Sequence, residues 1–174
     1  MKKFELTSET KINIFGKKLF RIKALISFAD VEAGETGGWV EKEGNVNQSG
    51  DAWVSGNAEV YGNAEVSGNA EVYGNAKVYG NAKVYGNAEV SGNAWVSGDA
   101  WVSGNADYTT IHGFGTQFRT TTFFRCKDKK VRVACGCFFG TIPEFREQVK
   151  NTRKGKIAEE YLMIADLMEK HFEK

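Results

Sequence analysis

The chain has 174 residues, of which 41% are apolar and 26% are charged, with a formal net charge of +1. This length is sufficient to bury a hydrophobic core, whereas the near-neutral charge provides no extended basic stripe and argues against long nucleic acid as a partner. No apolar run of 18 residues and no signal-peptide core is present, and the three cysteines are an odd number. These features predict a reduced, cytoplasmic protein without a membrane partner.

Residues 1–37 are predicted to form an N-terminal β-hairpin cap. Alternating apolar residues predict short strands at 4–6, 12–15 and 19–26, with a tight turn at Gly16 and Lys17. The charged side chains of this segment suit the outer face of a cap that covers the open β-edge of the following repeat.

Residues 38–109 form a repeat with a period of six. Glycine recurs at every sixth position from Gly38 through Gly104, and the block Gly-Asn/Asp-Ala-x-Val-Ser/Tyr follows it. Within each block, alanine and valine are two residues apart, so both point to one face of a strand, which must be the interior. Glycine and asparagine accept positive φ at low cost, so they supply the corners.

This pattern resembles the hexapeptide-repeat proteins, whose motif places a small residue four positions after an aliphatic one. Val54 and Ala58, then Val60 and Ala64, meet that motif. The resemblance implies a mainly β fold, a left-handed parallel β-helix with three hexads in each triangular coil. It leaves function open, because the family includes acyltransferases, carbonic anhydrase relatives and structural or binding proteins.

Stacking at 18 residues per coil predicts which outward side chains are neighbours. Glu59 should lie beside Lys77, and Glu65 beside Lys83, at about the 4.8 Å spacing of strands in a sheet. A third column carries like charges, held apart by solvent or neutralised by a subunit, a cation or the basic C-terminal part. Its members are Trp53, Glu71, Glu89 and Asp107.

Outward aromatic residues recur along the predicted coil and suggest an interface between subunits. Tyr61 and Tyr79 should stack on one face with Trp95, and Trp101 lies on the next face. So many exposed rings are unusual on a monomer, and hexapeptide proteins are commonly trimers. A homotrimer is therefore predicted.

Residues 110–174 are predicted to form a small α+β module of ββαα order. Strands are expected at 119–125 and 130–135, after a turn-rich connector that begins at Tyr108. A capping box of Thr141 and Glu144 predicts the start of one helix, and an apolar stripe predicts a second helix over about 156–172.

The module also contains the positive charge that the repeat lacks. Residues 44–106 have Lys77 and Lys83 against six acids, whereas residues 107–174 have 13 basic and nine acidic side chains. Arginine forks bind phosphates, hydroxyls add donors and aromatic rings stack on bases. The predicted ligand-binding residues are Arg119, Thr121, Phe123, Arg125, Lys130 and Arg132. The alternative is a solvated strand face.

Residues for catalysis or metal binding are few, and no cofactor is predicted. Cys126, Cys135 and Cys137 with His112 would be an alternative zinc site, although the Cys-Gly-Cys spacing is not the usual one. His112 is also the alternative catalytic base of an acyltransferase, since enzymes of that hexapeptide class use a histidine. Reduced structural thiols and a turn histidine are the alternatives to both.

A second resemblance covers most of the chain. Repeats of Gly-Asn-Ala-x-Val joined to Thr-Phe-Phe-Arg-Cys-Lys and Cys-Gly-Cys-Phe-x-Gly-Thr are similar to uncharacterised proteins of phages and gut bacteria. This resemblance, with the scarcity of catalytic residues, predicts a non-catalytic oligomer that sequesters a small anionic ligand, possibly a signalling nucleotide of host defence. The alternatives are a hexapeptide acyltransferase and a purely structural or protein-interaction module.

Overall fold

A computed structural model describes residues 1–173 of the chain. The chain divides into two compact units, Met1–Asn105 and Ala106–Lys174. The first unit contains the N-terminal hairpin together with the repeats, and the second is the C-terminal module.

The repeats form a parallel β-solenoid of about four turns. Strands 18 residues apart pair in parallel, as predicted, and three sheets result. Strands of the first unit are β1 (Phe4–Ile12), β2 (Lys18–Ala24), β3 (Thr36–Val40), β4 (Trp53–Val54), β5 (Glu59–Val60), β6 (Glu65–Val66), β7 (Glu71–Val72), β8 (Lys77–Val78), β9 (Lys83–Val84), β10 (Glu89–Val90), β11 (Trp95–Val96) and β12 (Trp101–Val102). The sheet orders are β1-β2-β3-β5-β8-β11, β4-β7-β10 and β6-β9-β12.

Alanine and valine fill the interior of the solenoid, as the alternation predicted. Val54, Val72 and Val90 stack in register, and all three are completely buried. At the corners, repeat glycines such as Gly68 have positive φ, and a side chain there would press on the glycine one coil above. The corner asparagines form ladders in which each amide donates to the next, at 3.1–3.3 Å.

The predicted charge pairs between coils are confirmed. Glu59 lies beside Lys77 with a separation of 2.7 Å, and Glu65 beside Lys83 with 3.3 Å between charged atoms. Glu59 is almost fully buried because Lys11 of the hairpin also approaches its carboxylate to 2.7 Å. The N-terminal hairpin therefore completes an ion cluster on the outer face of the coil.

The hairpin joins the solenoid by pairing β2 with β3, the edge strand of the first rung. Lys3 closes the adjoining end, because its buried ammonium donates to the carbonyls of Gly50 (3.0 Å) and Ala52 (2.7 Å). Burial lowers the pKa of Lys3 to about 8. The predicted cap thus satisfies backbone acceptors that the first rung leaves open.

The chain itself covers part of the outward aromatic column. Tyr61 and Tyr79 stack in parallel with ring centroids 5.1 Å apart, as predicted. Phe15, at the hairpin tip, contacts Tyr61, Tyr79 and Trp95 at centroid distances of 5.8–6.2 Å. Tyr61 is consequently only 4% exposed, whereas Trp101 on the next face is 38% exposed.

The C-terminal module has strands followed by two helices, as predicted, with one further strand on each side of the predicted pair. The elements are β13 (Tyr108–Phe114), β14 (Arg119–Arg125), β15 (Val131–Cys135), β16 (Phe138–Thr141), α1 (Ile142–Thr152) and α2 (Gly155–Phe172). The four strands form one antiparallel sheet in chain order. The connector predicted from Tyr108 is strand β13, and a register shift between Ile111 and Phe114 accommodates its glycine.

The core of the module lies between one face of this sheet and the two helices. The predicted capping box of Thr141 and Glu144 begins α1. The predicted stripe of α2 is buried at Tyr161, Ile164, Met168 and Phe172. No helix within residues 1–173 has the length and hydropathy needed to cross a bilayer.

Candidate anion-binding site

Strand β14 carries four of the predicted ligand-binding residues at alternate positions. Arg119, Thr121, Phe123 and Arg125 therefore share a face, as expected, and this face packs under the helices. Phe123 is fully buried against Phe145, and Thr121 is buried with its hydroxyl donating to the sulfur of Cys135 at 3.1 Å. The two arginines lie at opposite ends of the strand, roughly 20 Å apart at the rise of a β-strand. They therefore belong to different sites.

Arg125 lies at the end of β14 that faces the C-terminus of α2. Its Nε is 3.4 Å from Asp107, its Nη2 donates to the carbonyl of Phe172 at 2.7 Å, and its guanidinium lies 5.3 Å from the Phe172 ring centroid. Arg125 and Lys130 line an open groove of about 450 Å³. Carboxylates from Glu169 and Glu173 line the same groove, so its charge is mixed.

Arg132 lies on the opposite face of the sheet, because it pairs with Phe124 rather than with a residue of the helix-covered face. Its Nη2 is 2.7 Å from a carboxylate oxygen of Asp128. This hydrogen bond, assisted by the backbone N–H of Lys130, lowers the pKa of Asp128. The guanidinium of Arg132 is thus already paired.

Arg119 lies at a separate cavity of about 100 Å³, which we call the arginine pocket. The β13–β14 turn, the β15–β16 turn, the C-terminal part of α1 and one residue of α2 form its walls. The lining residues are Gly115, Thr116, Gln117, Arg119, Cys135, Cys137, Phe138, Phe145, Gln148, Val149, Thr152, Arg153 and Tyr161.

Two guanidinium groups, Arg119 and Arg153, are the charged side chains of this lining, and none of the described lining residues is Asp or Glu. Arg119 lies over Gly136, where any β-carbon would collide with its Nη1. Arg153 follows the last residue of α1 and donates only to the carbonyl of Thr152, at 3.2 Å. Two cations without a facing acid make the arginine pocket attractive to an anion.

Tyr161 forms the inner wall of the arginine pocket. Its hydroxyl donates to the carbonyl of Phe114 at 3.2 Å, and its ring packs edge-on against Phe145 with centroids 5.8 Å apart. Burial raises the pKa of Tyr161, and the nearby charge of Cys135 adds to the rise, while Arg153 and Arg119 oppose it. Tyr161 is therefore a neutral hydroxyl beside the two arginines.

The three cysteines do not converge. Cys135 is half-buried and Cys137 exposed at the arginine pocket, whereas Cys126 is buried beyond the other end of β14. Within residues 1–173, no cluster of three or more His, Cys, Asp or Glu side chains has the arrangement of a metal site. The alternative zinc site thus gains no support.

His112 lies in β13, on the sheet face opposite the arginine pocket. The strand register places its neighbour Ile111 opposite Thr121 on the helix-covered face, so His112 points the other way. Its Nδ1 is 3.2 Å from the hydroxyl of Thr120, and the imidazole is exposed. No thiol or carboxylate lines its surroundings as in a nucleophilic triad within the described chain.

Sequence reasoning did not identify Arg153, Gln148 or Tyr161 as site residues. Tyr161 was assigned only to the apolar stripe, which it also belongs to. A basic residue directly before the glycine that separates two helices was the one available signal for Arg153. The pairing of this helix end with the β13–β14 turn required the fold.

Comparison of the chain with models of known protein families and with curated proteins finds no match. The candidate site is therefore argued from its geometry alone.

Proposed function

We propose that this chain is a non-catalytic binding protein whose C-terminal module holds a small anionic, nucleotide-like ligand at the arginine pocket. The observation that carries the proposal is the pair of guanidinium groups, Arg119 and Arg153, in a lining without a described carboxylate. Arginine is suited to phosphate because its planar fork donates two parallel hydrogen bonds.

Of the three arginines predicted to bind the ligand, Arg119 is the one best suited to it. Arg125 and Arg132 already face Asp107 and Asp128, so an anion arriving there would compete with a carboxylate. Arg119 has only Gly136 beneath it. The proposed ligand contacts are therefore Arg119 with Arg153, and the other predicted residues support the module or line the mixed-charge groove.

The size of the cavity favours an anionic group over an entire nucleotide. About 100 Å³ is well below the roughly 300–1,000 Å³ of pockets that enclose drug-sized ligands. A phosphate would occupy the cavity, and the remainder of the ligand would lie outside it. Phe118 sits between two lining residues in sequence and is 64% exposed, so its ring is available to stack on a base.

The biological setting in this proposal follows the sequence resemblance. A hexapeptide-type, left-handed solenoid from a phage or gut bacterium, assembled as a homotrimer, would present three ligand sites on one particle. Such a particle suits sequestration of a signalling nucleotide, and hence inhibition of host defence. The multiplicity of sites raises capacity without requiring any chemical step.

Calorimetry with a defined panel tests the proposal. The panel contains ADP-ribose, a cyclic dinucleotide, inorganic phosphate and uncharged adenosine. We expect heat of binding for the phosphate-bearing compounds and none for adenosine, with no product formed on prolonged incubation. Absence of heat for every phosphate compound, with folded protein, would reject the proposal, and so would turnover of a ligand.

A single substitution separates the contribution of the ring from that of the charges. Base stacking contributes about 1–3 kcal/mol, so Phe118→Ala should weaken ADP-ribose about tenfold or more. The affinity for inorganic phosphate should stay within a factor of two. Equal weakening of both would remove Phe118 from the account.

A further inference from the structure

Two thiols lie at the arginine pocket, and the proposed ligand does not require them. Cys135 ends β15 and Cys137 begins the approach to β16, with Gly136 at positive φ between them. Both line the cavity together with Arg119 and Arg153. Cys137 is exposed, whereas Cys135 is half-buried.

The surroundings distinguish the two sulfurs. Cys135 receives a hydrogen bond from the hydroxyl of Thr121 at 3.1 Å, and it also lies beside Tyr161, so its access is restricted. Cys137 is open to solvent on the same lining. A thiol near cationic side chains is more readily ionised, and the thiolate is the nucleophile in disulfide exchange. Cys137 is thus the sulfur that combines access with a positive environment.

We propose that Cys137 is a site of mixed-disulfide formation with small anionic disulfides, of which oxidised glutathione is the chemical type. Arg119 and Arg153 bind a carboxylate of the incoming molecule and bring its sulfur–sulfur bond to Cys137. This proposal is independent of the nucleotide-like ligand, because it concerns a different class of molecule at the same cavity.

The exchange is balanced without any further oxidant. The Cys137 thiolate attacks one sulfur of the disulfide, a new bond forms between these two sulfurs, and the original sulfur–sulfur bond breaks. The other half leaves as a thiolate and takes a proton from water. Cys137 is oxidised, and the departing half is reduced.

The test compares two disulfides of opposite charge on reduced, full-length protein at low ionic strength. Oxidised glutathione carries carboxylates, whereas cystamine carries only ammonium groups. Intact-mass spectrometry follows the adduct, and peptide mapping locates it. We expect the glutathione adduct to form at Cys137 about tenfold faster than the cystamine adduct, because the two arginines attract the first reagent and repel the second.

Matched variants make the result specific. Cys137→Ser should abolish the adduct, and Cys126→Ser should retain it. Arg119→Gln with Arg153→Gln should bring the two reagents to similar rates while the cystamine reaction persists, which an unfolded protein would not reproduce. Arg132→Gln, an arginine on the opposite face, should leave the preference intact.

Equal rates for the two reagents with the wild-type chain would overturn the proposal, as would an adduct mapped to Cys126 or Cys135. Phosphate binding is measured separately by calorimetry on reduced protein. Failure of disulfide exchange with phosphate binding intact therefore rejects only this inference, and the reverse result rejects only the proposed function.

Discussion

The guanidinium of Arg119 lies directly over the α-carbon of Gly136, with no room for a β-carbon between them. Gly136 has a φ of +60°, and it sits between the two cysteines of the β15–β16 turn. Glycine is therefore required twice, for the backbone conformation and for the close approach of Arg119. This contact fixes where the arginine presents its donors to the pocket.

Gly136→Ala should displace Arg119 and weaken anion binding. The left-handed conformation costs a non-glycine residue about 1–2 kcal/mol, so the free energy of unfolding should fall by about that amount. The affinity for inorganic phosphate should fall more than tenfold if Arg119 loses its position. Urea unfolding and calorimetry on the same sample measure the two effects. Gly113→Ala, also at positive φ but outside the pocket, is the matched control for strain alone.

Val72→Asp should disrupt the solenoid. Val72 is fully buried between Val54 and Val90, so an aspartate there would be a buried charge without a partner. The expected loss of several kcal/mol exceeds what most domains tolerate, and circular dichroism should show loss of β structure or of cooperative melting. Glu71→Asp changes the adjacent, exposed position and should melt like the parent chain. Parent-like melting of Val72→Asp would contradict the register.

Glu59 should make the first unit sensitive to acid. Burial alone would raise the pKa of Glu59, but hydrogen bonds and charges from Lys11 and Lys77 outweigh it and lower the pKa. Because the folded pKa lies below the unfolded one, the stabilisation is complete above about pH 4.5 and is lost as the pH falls through the folded value.

Urea unfolding of the wild type and of Glu59→Gln between pH 7 and pH 3 checks this effect. The wild type should lose more stability over that range than the variant, since other carboxylates titrate in both. Parallel curves for the two chains would show that Glu59 makes no net contribution.

The sequence was sufficient to predict the solenoid because each hexad repeats the same local choice. Glycine at the corner, with alanine and valine inside, left one register, and Glu59 beside Lys77 followed from the 18-residue coil. Strand β13 was read as a connector because Gly113 and Gly115 interrupt it. The structure absorbs Gly113 at a register shift and uses Gly115 to approach Tyr161.

The candidate site was harder to predict from the sequence. Alternation correctly placed Arg119 and Arg125 on one face of a strand, but it did not indicate that helices cover the middle of that face. Only the packed module brings Arg153, 34 positions after Arg119, to the same cavity. Pairings of this kind depend on how α1 ends against the sheet, and no local pattern encodes them.

The homotrimer remains a prediction, and the structure indicates which surfaces to test. The hairpin covers Tyr61, so the candidate contacts are Trp101 on the coil and Met163 with Leu167 on α2, which are 38%, 70% and 59% exposed. Multi-angle light scattering should give three times the chain mass of 19.3 kDa at micromolar concentration. Either Trp101→Lys or Leu167→Lys should reduce this to one chain mass, which identifies the interface. A single-chain mass for the wild type would contradict the trimer.

The central claim is that Arg119 and Arg153 together hold an anion. Calorimetric titration of ADP-ribose into wild type, Arg119→Gln, Arg153→Gln and Arg132→Gln tests it most directly. A charge-assisted hydrogen bond contributes about 1.5–3 kcal/mol, so each pocket variant should bind tenfold or more weakly, whereas Arg132→Gln should bind like the wild type. Thermal unfolding without ligand confirms that each variant is folded. Unchanged affinity in both folded pocket variants, or an equal loss in Arg132→Gln, would contradict the account.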